Sequence, residues 1–302
     1  MPIDDQQDFT PEPLYIPDET FRVLIDEQFP HLAERELGRR YTLEDHFAIR
    51  IGDDFGALFP RYGDRDGLYE RASHLIMPLA DAWTFPSSHP IATGDPGHGY
   101  PHHWVLVEWV SASTAGFVPL HEDSAVPLAH ALHEIHVPAP ASAPANPHTG
   151  VALPKMADKF EQLLANAARS GAPEQREIDV DATRNRFHQG ACAPMDVTPT
   201  WTHGRLEPRA VLSDRGRFAG ILLWHNFGAG DPAADLGCAA NLLPLEVRDD
   251  FFNSYGDLSC ATATRVNAFQ VFFALNWVAI DDPFVMRMAW ERLIELDLAS
   301  EA

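Results

Sequence analysis

Four side chains capable of chemistry alternate along one short stretch: His203, Arg205, Glu207 and Arg209. A second group follows soon after, with His225 and Asn226. Imidazole and carboxylate together can move protons. A fold that brings His225 to the first group would make His203, Arg205, Glu207 and His225 a candidate acid–base group for a lyase or isomerisation reaction on a small metabolite. Guanidinium groups stay protonated and present a planar fork of donors to carboxylate or phosphate, so Arg205 and Arg209 could equally bind an anion directly, with His225 beside them. The plainer alternative pairs Arg205 with Glu207 or another internal acid and gives it no ligand.

Other constellations offer less. His130, His133 and His136 recur every third residue near a predicted helix end, but a spacing of six drifts off one helical face, so packing is expected before metal. His98, His102 and His103 fall in a loop rich in Gly and Pro. Cys192, Cys238 and Cys260 are widely separated and form no Cys-x-x-Cys pair, which reads as free thiols in a reducing compartment rather than a zinc site. The serine signature Gly-x-Ser-x-Gly is absent. Phe269, Phe272, Phe273 and Trp277 have helical spacing and are expected in a core.

Bulk properties narrow the classes. The chain has 302 residues, 45% of them hydrophobic, enough for one large domain or two units with separate cores. Its 22 basic and 44 acidic residues leave a formal charge of -22. Such a surface repels nucleic acid and anionic membrane, because phosphate binding needs clustered Lys and Arg. It favours a cationic small molecule, a basic peptide or a basic partner protein, or serves solubility alone. The longest apolar run, 269–280, is interrupted by Gln270 and Asn276 and is too short to span a bilayer. The acidic start lacks the basic end and apolar core of a secretory signal, so a cytoplasmic protein is expected.

The elements that must position these residues can be read from periodicity. Residues 1–20 read as a loose acidic tail. Phe21, Leu24, Ile25, Phe29 and Leu32 predict a helix broken at Pro30. Two apolar runs, 47–51 and 55–59, flank Gly52, Asp53 and Asp54 and predict a hairpin. A helix is expected over 67–83, a loop over 93–103 and a strand over 104–110. Residues 123–136 read as a helix ending before Pro138, and 138–147 as a surface linker of polyproline character. Beyond it helices are predicted over 156–169, 173–190, 233–243 and, as a pair, 261–298. A β-rich first third followed by a helical remainder implies two lobes with a crevice between them.

Residues 202–213 read Thr-His-Gly-Arg-Leu-Glu-Pro-Arg-Ala-Val-Leu-Ser, and 230–236 read Gly-Asp-Pro-Ala-Ala-Asp-Leu. Together they resemble the signature of the aminoglycoside and macrolide phosphotransferases, which runs His-Gly-Asp-Leu-His-Pro-Gly-Asn-Val-Leu and ends in Gly-Asp-Pro-Ala-x-Asp-Leu-Ala. Weaker agreement extends over 26–30, 99–101, 131–135 and the hairpin, so the resemblance covers nearly the whole chain. It implies an α+β, protein-kinase-like, two-lobed fold with a small antiparallel β N-lobe over 21–110. A large helical C-lobe would follow over 111–302 and carry the catalytic loop within 202–236, with a nucleotide cleft between the lobes.

The same resemblance shows what is missing. Phosphoryl transfer to a hydroxyl needs an Asp beside the nucleophile, Mg²⁺ on Asn and Asp, and a basic phosphate anchor. Here the catalytic Asp position is Arg205, which has no acceptor atom. The metal-binding Asn position is Ala210, the principal metal Asp position is Leu223, and the following acidic position is Asn226. The glycine-containing nucleotide loop aligns with 41–46, which has no glycine, and the basic anchor falls on Leu58, with Arg61 shortly beyond. Its Glu partner aligns at Glu70 or Ala72. Asp231 and Asp235 persist where the family uses carboxylates to cap helices and brace the catalytic loop. The resemblance thus implies a degenerate member, a pseudokinase that binds a partner protein, a basic peptide or a small ligand, with no metal and no cofactor. A repurposed lyase-type enzyme or an unorthodox phosphotransferase is the competing class.

Overall fold

The computed structural model describes residues 14–43, 45–63, 66–170 and 176–301. Most of the expected acidic tail thus lies outside the described residues, and the chain is already helical at Asp18. Two compact units divide it, one formed by Met1–Asp81 with Ser87–Val110, the other by Ala82–Pro86 with Ser111–Ala302.

The first unit is a sheet with two helices. Helix α1 (Asp18–Gln28) buries Phe21, Leu24 and Ile25 on one stripe, and Asp18 and Glu19 in its first turn complement the positive end of the helix dipole. Pro30 stops it, as expected, and a 3-10 turn, Pro30–Leu32, follows. Strands β1 (Leu37–Thr42), β2 (His46–Ile51), β3 (Phe55–Pro60), β4 (Pro90–Gly94) and β5 (Trp104–Glu108) form one sheet in the order β1-β2-β3-β5-β4. The predicted hairpin is β2–β3, paired from His46 with Pro60 to Ile51 with Phe55.

Period-2 alternation gives this sheet two apolar faces. Phe47, Ile49, Ile51, Ala57, Phe59, Trp104 and Leu106 pack on α1 in one cluster. Leu58, Val105 and Val107 point the other way and pack on Tyr69 of helix α2 (Asp66–Ala80). That helix stops short of its predicted end at residue 83. Of the stretch aligned with a nucleotide loop, Tyr41 and Thr42 belong to β1, and the Leu43 amide donates to the His46 carbonyl at 2.9 Å.

The second unit is helical with short strand pairs. Helix α3 (Ala125–Ile135) confirms the predicted 123–136 segment. Helices α4 (Ala157–Ser170), α5 (Val180–Cys192), α6 (Pro232–Ala240), α7 (Arg248–Tyr255), α8 (Cys260–Val278) and α9 (Pro283–Glu295) follow. Phe269, Phe272, Phe273 and Trp277 of α8 are buried, as their spacing requires. The helix expected over 173–190 starts later. Strand β7 (Arg176–Ile178) pairs with the distant β12 (Ala299–Glu301), and Asp179 caps α5 through the Ala182 amide. Among the described residues no helix is long and apolar enough to cross a membrane.

Candidate functional site

The candidate residues lie on a loop between two strands and on a turn facing it. Strand β6 (Ser113–Thr114) pairs with β9 (Val211–Asp214), which pairs with β10 (Arg217–Ile221). Strand β8 (Thr200–Thr202) pairs with β11 (Gly228–Gly230). Residues 203–210 bridge β8 to β9. Residues 222–227, with a 3-10 turn at Trp224–Asn226, bridge β10 to β11.

Asp235, fully buried in the first turn of α6, holds the loop by its backbone. Its carboxylate accepts the His203 amide at 2.6 Å and the Gly204 amide at 3.0 Å. His136 Nε2 lies 3.2 Å from Asp235 Oδ2, and His136 Nδ1 lies 2.9 Å from the Tyr255 hydroxyl. Burial works against ionising Asp235. The His136 hydrogen bond and charge, with the Gly204 amide, outweigh it and hold the carboxyl below its usual range. Burial also pushes the Tyr255 hydroxyl well up. Asp231 has the expected capping role: Oδ1 accepts the Ala233 amide at 3.1 Å, and Oδ2 receives Arg265 Nε at 2.6 Å.

His203 is buried with both ring nitrogens engaged. Nε2 faces the Leu222 carbonyl at 2.9 Å, and Nδ1 accepts the Arg205 amide at 3.4 Å. This is the arrangement of a neutral ring protonated on Nε2, and burial lowers its pKa accordingly. Such a histidine shapes the loop and has no nitrogen left for a substrate. The acid–base group read from the sequence therefore loses its first member.

Arg205 and Arg209 are both ion-paired. Arg205 Nε donates to Glu207 Oε2 at 2.9 Å, where Glu207 is buried, and Arg209 Nη2 lies 3.4 Å from Asp282 Oδ2 at the cap of α9. The plainer of the two sequence readings of Arg205 is the one that the geometry matches. His225 and Asn226 are buried in the 3-10 turn. Ala210 is buried beneath the loop. Cys238 is buried behind it, its thiol donating to the Leu206 carbonyl at 2.9 Å and pushed well up by burial.

Leu223 opens this 3-10 turn. Its φ of 67° and ψ of 50° are left-handed, a region that Asn and Asp enter at lower cost than a branched aliphatic side chain. The turn keeps a conformation suited to a short polar side chain while holding Leu.

Two parts of the site were not legible beforehand. Trp224 stacks on Trp83 with ring centroids 4.7 Å apart, so residues 82–86, the first two of them expected as the end of a helix, brace the turn. The Pro86 carbonyl accepts the Ile221 amide at 3.1 Å. The proline-rich segment ends in a plug. Asn146 is buried, donating Nδ2 to Thr202 Oγ1 at 3.0 Å and accepting the His148 and Thr149 amides, while Thr149 Oγ1 donates to the Gly204 carbonyl at 3.2 Å. The remaining histidine groups disperse: His98 pairs with Glu27, His103 with Asp95, and His130 and His133 are exposed. Among the described residues, no three His, Cys, Asp or Glu side chains form a group that could hold a metal.

This loop, with its His-Gly start, its buried bracing aspartate and its Asp-Pro helix cap, is the arrangement that the APH phosphotransferase enzyme family profile matches, over residues 69–269. The chain belongs to that family. The fold is accordingly α+β and protein-kinase-like with two lobes, as expected. A macrolide 2'-phosphotransferase type I is similar at a TM-score of 0.58 and 15% identity, covering 93% of this chain and 98% of its own. The GDP complex of wild-type aminoglycoside 2'-phosphotransferase-IIIa gives 0.59 and 16%, covering 93% and 99%. Macrolide 2'-phosphotransferase MphH from Brachybacterium faecium, as apoenzyme, gives 0.56 and 18%, covering 90% and 97%. No curated protein matches the chain in sequence.

Family phosphoryl transfer implies Mg²⁺, and the residues present do not fit it. Mg²⁺ asks for hard oxygen ligands in octahedral array. At the aligned positions stand a buried alanine methyl, Ala210, and an isobutyl group, Leu223, with only the neutral amide of Asn226 following.

Proposed function

We propose that this chain is a pseudokinase of the phosphotransferase family, a protein that keeps the scaffold and works by binding a partner or a small ligand instead of transferring phosphate. One observation carries the reading. The position for the general base holds Arg205, and that guanidinium is committed to the buried Glu207. A cation cannot accept the hydroxyl proton. The acidic balance of -22 favours a cationic occupant, a basic peptide segment above all. One of the similar structures is a GDP complex, so a purine nucleotide is the ligand against which loss of the original function is judged.

The test is direct. Purified protein is incubated with radiolabelled ATP or GTP, Mg²⁺ and an aminoglycoside or macrolide acceptor. Phosphate transfer and hydrolysis are expected at the buffer rate. Metal-dependent turnover that Arg205→Ala abolishes would overturn the proposal. In parallel, a lysine-rich peptide is expected to bind more tightly than a neutral one of the same length, and the difference is expected to shrink as salt rises.

A further inference from the structure

On the reading above, the original nucleotide seat is free to have been filled, and the small unit carries a ring that fills it. In the family alignment the nucleotide would touch residues 41–46 and the second-strand position of Leu58. Cross-strand register puts Tyr41 of that stretch on one face with Leu58. Tyr41 pairs with Ala48, Ala48 with Leu58, and Leu58 with Val105; one pleat along, Gly56 pairs with Val107. Paired residues point the same way, so Tyr41, Ala48, Gly56, Leu58, Val105 and Val107 line the face opposite α1. Tyr69 covers one end of that face against Leu58, Val105 and Val107.

The other end holds Trp109. Its amide donates to the Asp54 carbonyl at 2.8 Å, which continues the β5 edge and keeps the side chain in phase with Val107. The indole packs against Gly56. A Cβ there would come within 2.5 Å of Trp109 Cε3, so only glycine lets the ring down onto the strand. Tyr41 stacks over it with centroids 6.2 Å apart and planes 27° from parallel. Gly56 and Val107 lie on the same face as Leu58, the aligned phosphate-anchor position, and the indole covers that face at Gly56.

We propose that Trp109 is a built-in occupant of the purine seat: its indole, a flat bicycle like a purine, sits between Gly56 and Tyr41 and excludes the base. The aliphatic Leu58 removes the phosphate anchor, and Trp109 removes the place for the base. The two losses are independent, and the second is reversible by one substitution.

Wild type and Trp109→Gly are titrated by calorimetry with adenosine and guanosine, without phosphate or metal, and with indole as competitor. Wild type is expected not to bind. The variant is expected to bind a purine nucleoside about tenfold or more tightly, and indole to displace it. Nucleoside binding by wild type that Trp109→Gly weakens would overturn the proposal, because the ring would then be a stacking platform. A cooperatively melting variant with no gain would overturn it equally. If Trp109→Gly does not fold, Trp109→Leu, which keeps an apolar contact on Gly56, is titrated under the same criteria. Nucleoside binding is read without any phosphate transfer. Wild type that bound a nucleoside yet turned over no ATP would sink this inference and leave the pseudokinase reading standing.

Discussion

Arg205 Nε and Glu207 Oε2 stand 2.9 Å apart, two residues from each other on the loop where a phosphotransferase keeps its base. Glu207 is buried and Arg205 is nearly a third exposed, so the pair is worth most as protection of the carboxylate. Arg205→Ala is therefore expected to destabilise the protein by about 1–3 kcal/mol in urea titration, the cost of an unpaired buried group. Arg205→Asp, which puts the residue of the family signature there, sets a second acid against Glu207 and is expected to be worse than Arg205→Ala. The double change Arg205→Asp with Glu207→His is expected to recover part of the loss. Equal stability of the two single variants would show that Glu207 does not sense the charge at 205.

At Leu223 the backbone and the side chain disagree. Left-handed φ costs a branched residue about 1–2 kcal/mol, and Asn or Gly much less. Comparing Leu223→Asn with Leu223→Ala separates this from lost packing, since both shorten the side chain. Leu223→Asn is expected to be the more stable by about 1 kcal/mol in thermal or urea melts. A lower stability for Asn would mean that the turn carries no strain.

Local signals were legible and non-local ones were not. The β2–β3 hairpin announced itself because both apolar runs and the Gly52-centred turn are neighbours in the chain. The α8 aromatics were legible from their 3.6 period. Strand β7 was lost inside a predicted helix because its partner, β12, lies at the far end of the sequence and only their pairing makes either a strand. Asn146 was hidden for another reason. A run of Pro and Ala carries no periodicity, and the value of one asparagine in it depends on Thr202 and Gly204, which the fold delivers. For the site, residue types told which groups were absent. That His203 is closed off by Leu222 and Arg205 is backbone geometry, which composition does not encode.

Acid should loosen the end of α5 from α8. The Ser259 hydroxyl, followed by Arg265 and Thr262, holds the Asp196 carboxyl down to about 2. A carboxylate depressed in the folded state gives stability that is complete above its unfolded pKa, near 3.9, and is lost as pH falls toward the folded value. Melting temperature is thus expected to drop between about pH 5 and 2 more steeply in wild type than in Asp196→Asn. His203 adds a separate slope. Its ring is held neutral by burial, so from the ordinary histidine pKa near 6.5 downward the unfolded chain takes up a proton that the folded one refuses. Stability is expected to decline through that window as well, and His203→Gln to flatten it there. An unchanged profile in both variants would exclude these two groups as its source.

The last prediction concerns how the proline-rich segment and the loop fit together. Gly204 has φ of 85°, and a Cβ on it would lie 1.6 Å from Asn146 Nδ2. Gly204→Ala therefore suffers two penalties, left-handed backbone and a clash with a buried side chain whose other bonds hold Thr202, His148 and Thr149 in place. The loss is expected to be about 2–4 kcal/mol. Asn146→Ala alone is expected to cost about 1–3 kcal/mol by leaving the buried Thr149 amide and the partly buried His148 amide without an acceptor. The strain at φ is insensitive to residue 146, whereas the clash disappears with its amide. In a double-mutant cycle the two losses should sum to more than the double variant shows, with a coupling of about 1 kcal/mol or more. Strict additivity would mean that Asn146 swings clear of residue 204, and that the segment is a tether on the surface and not a plug in the loop.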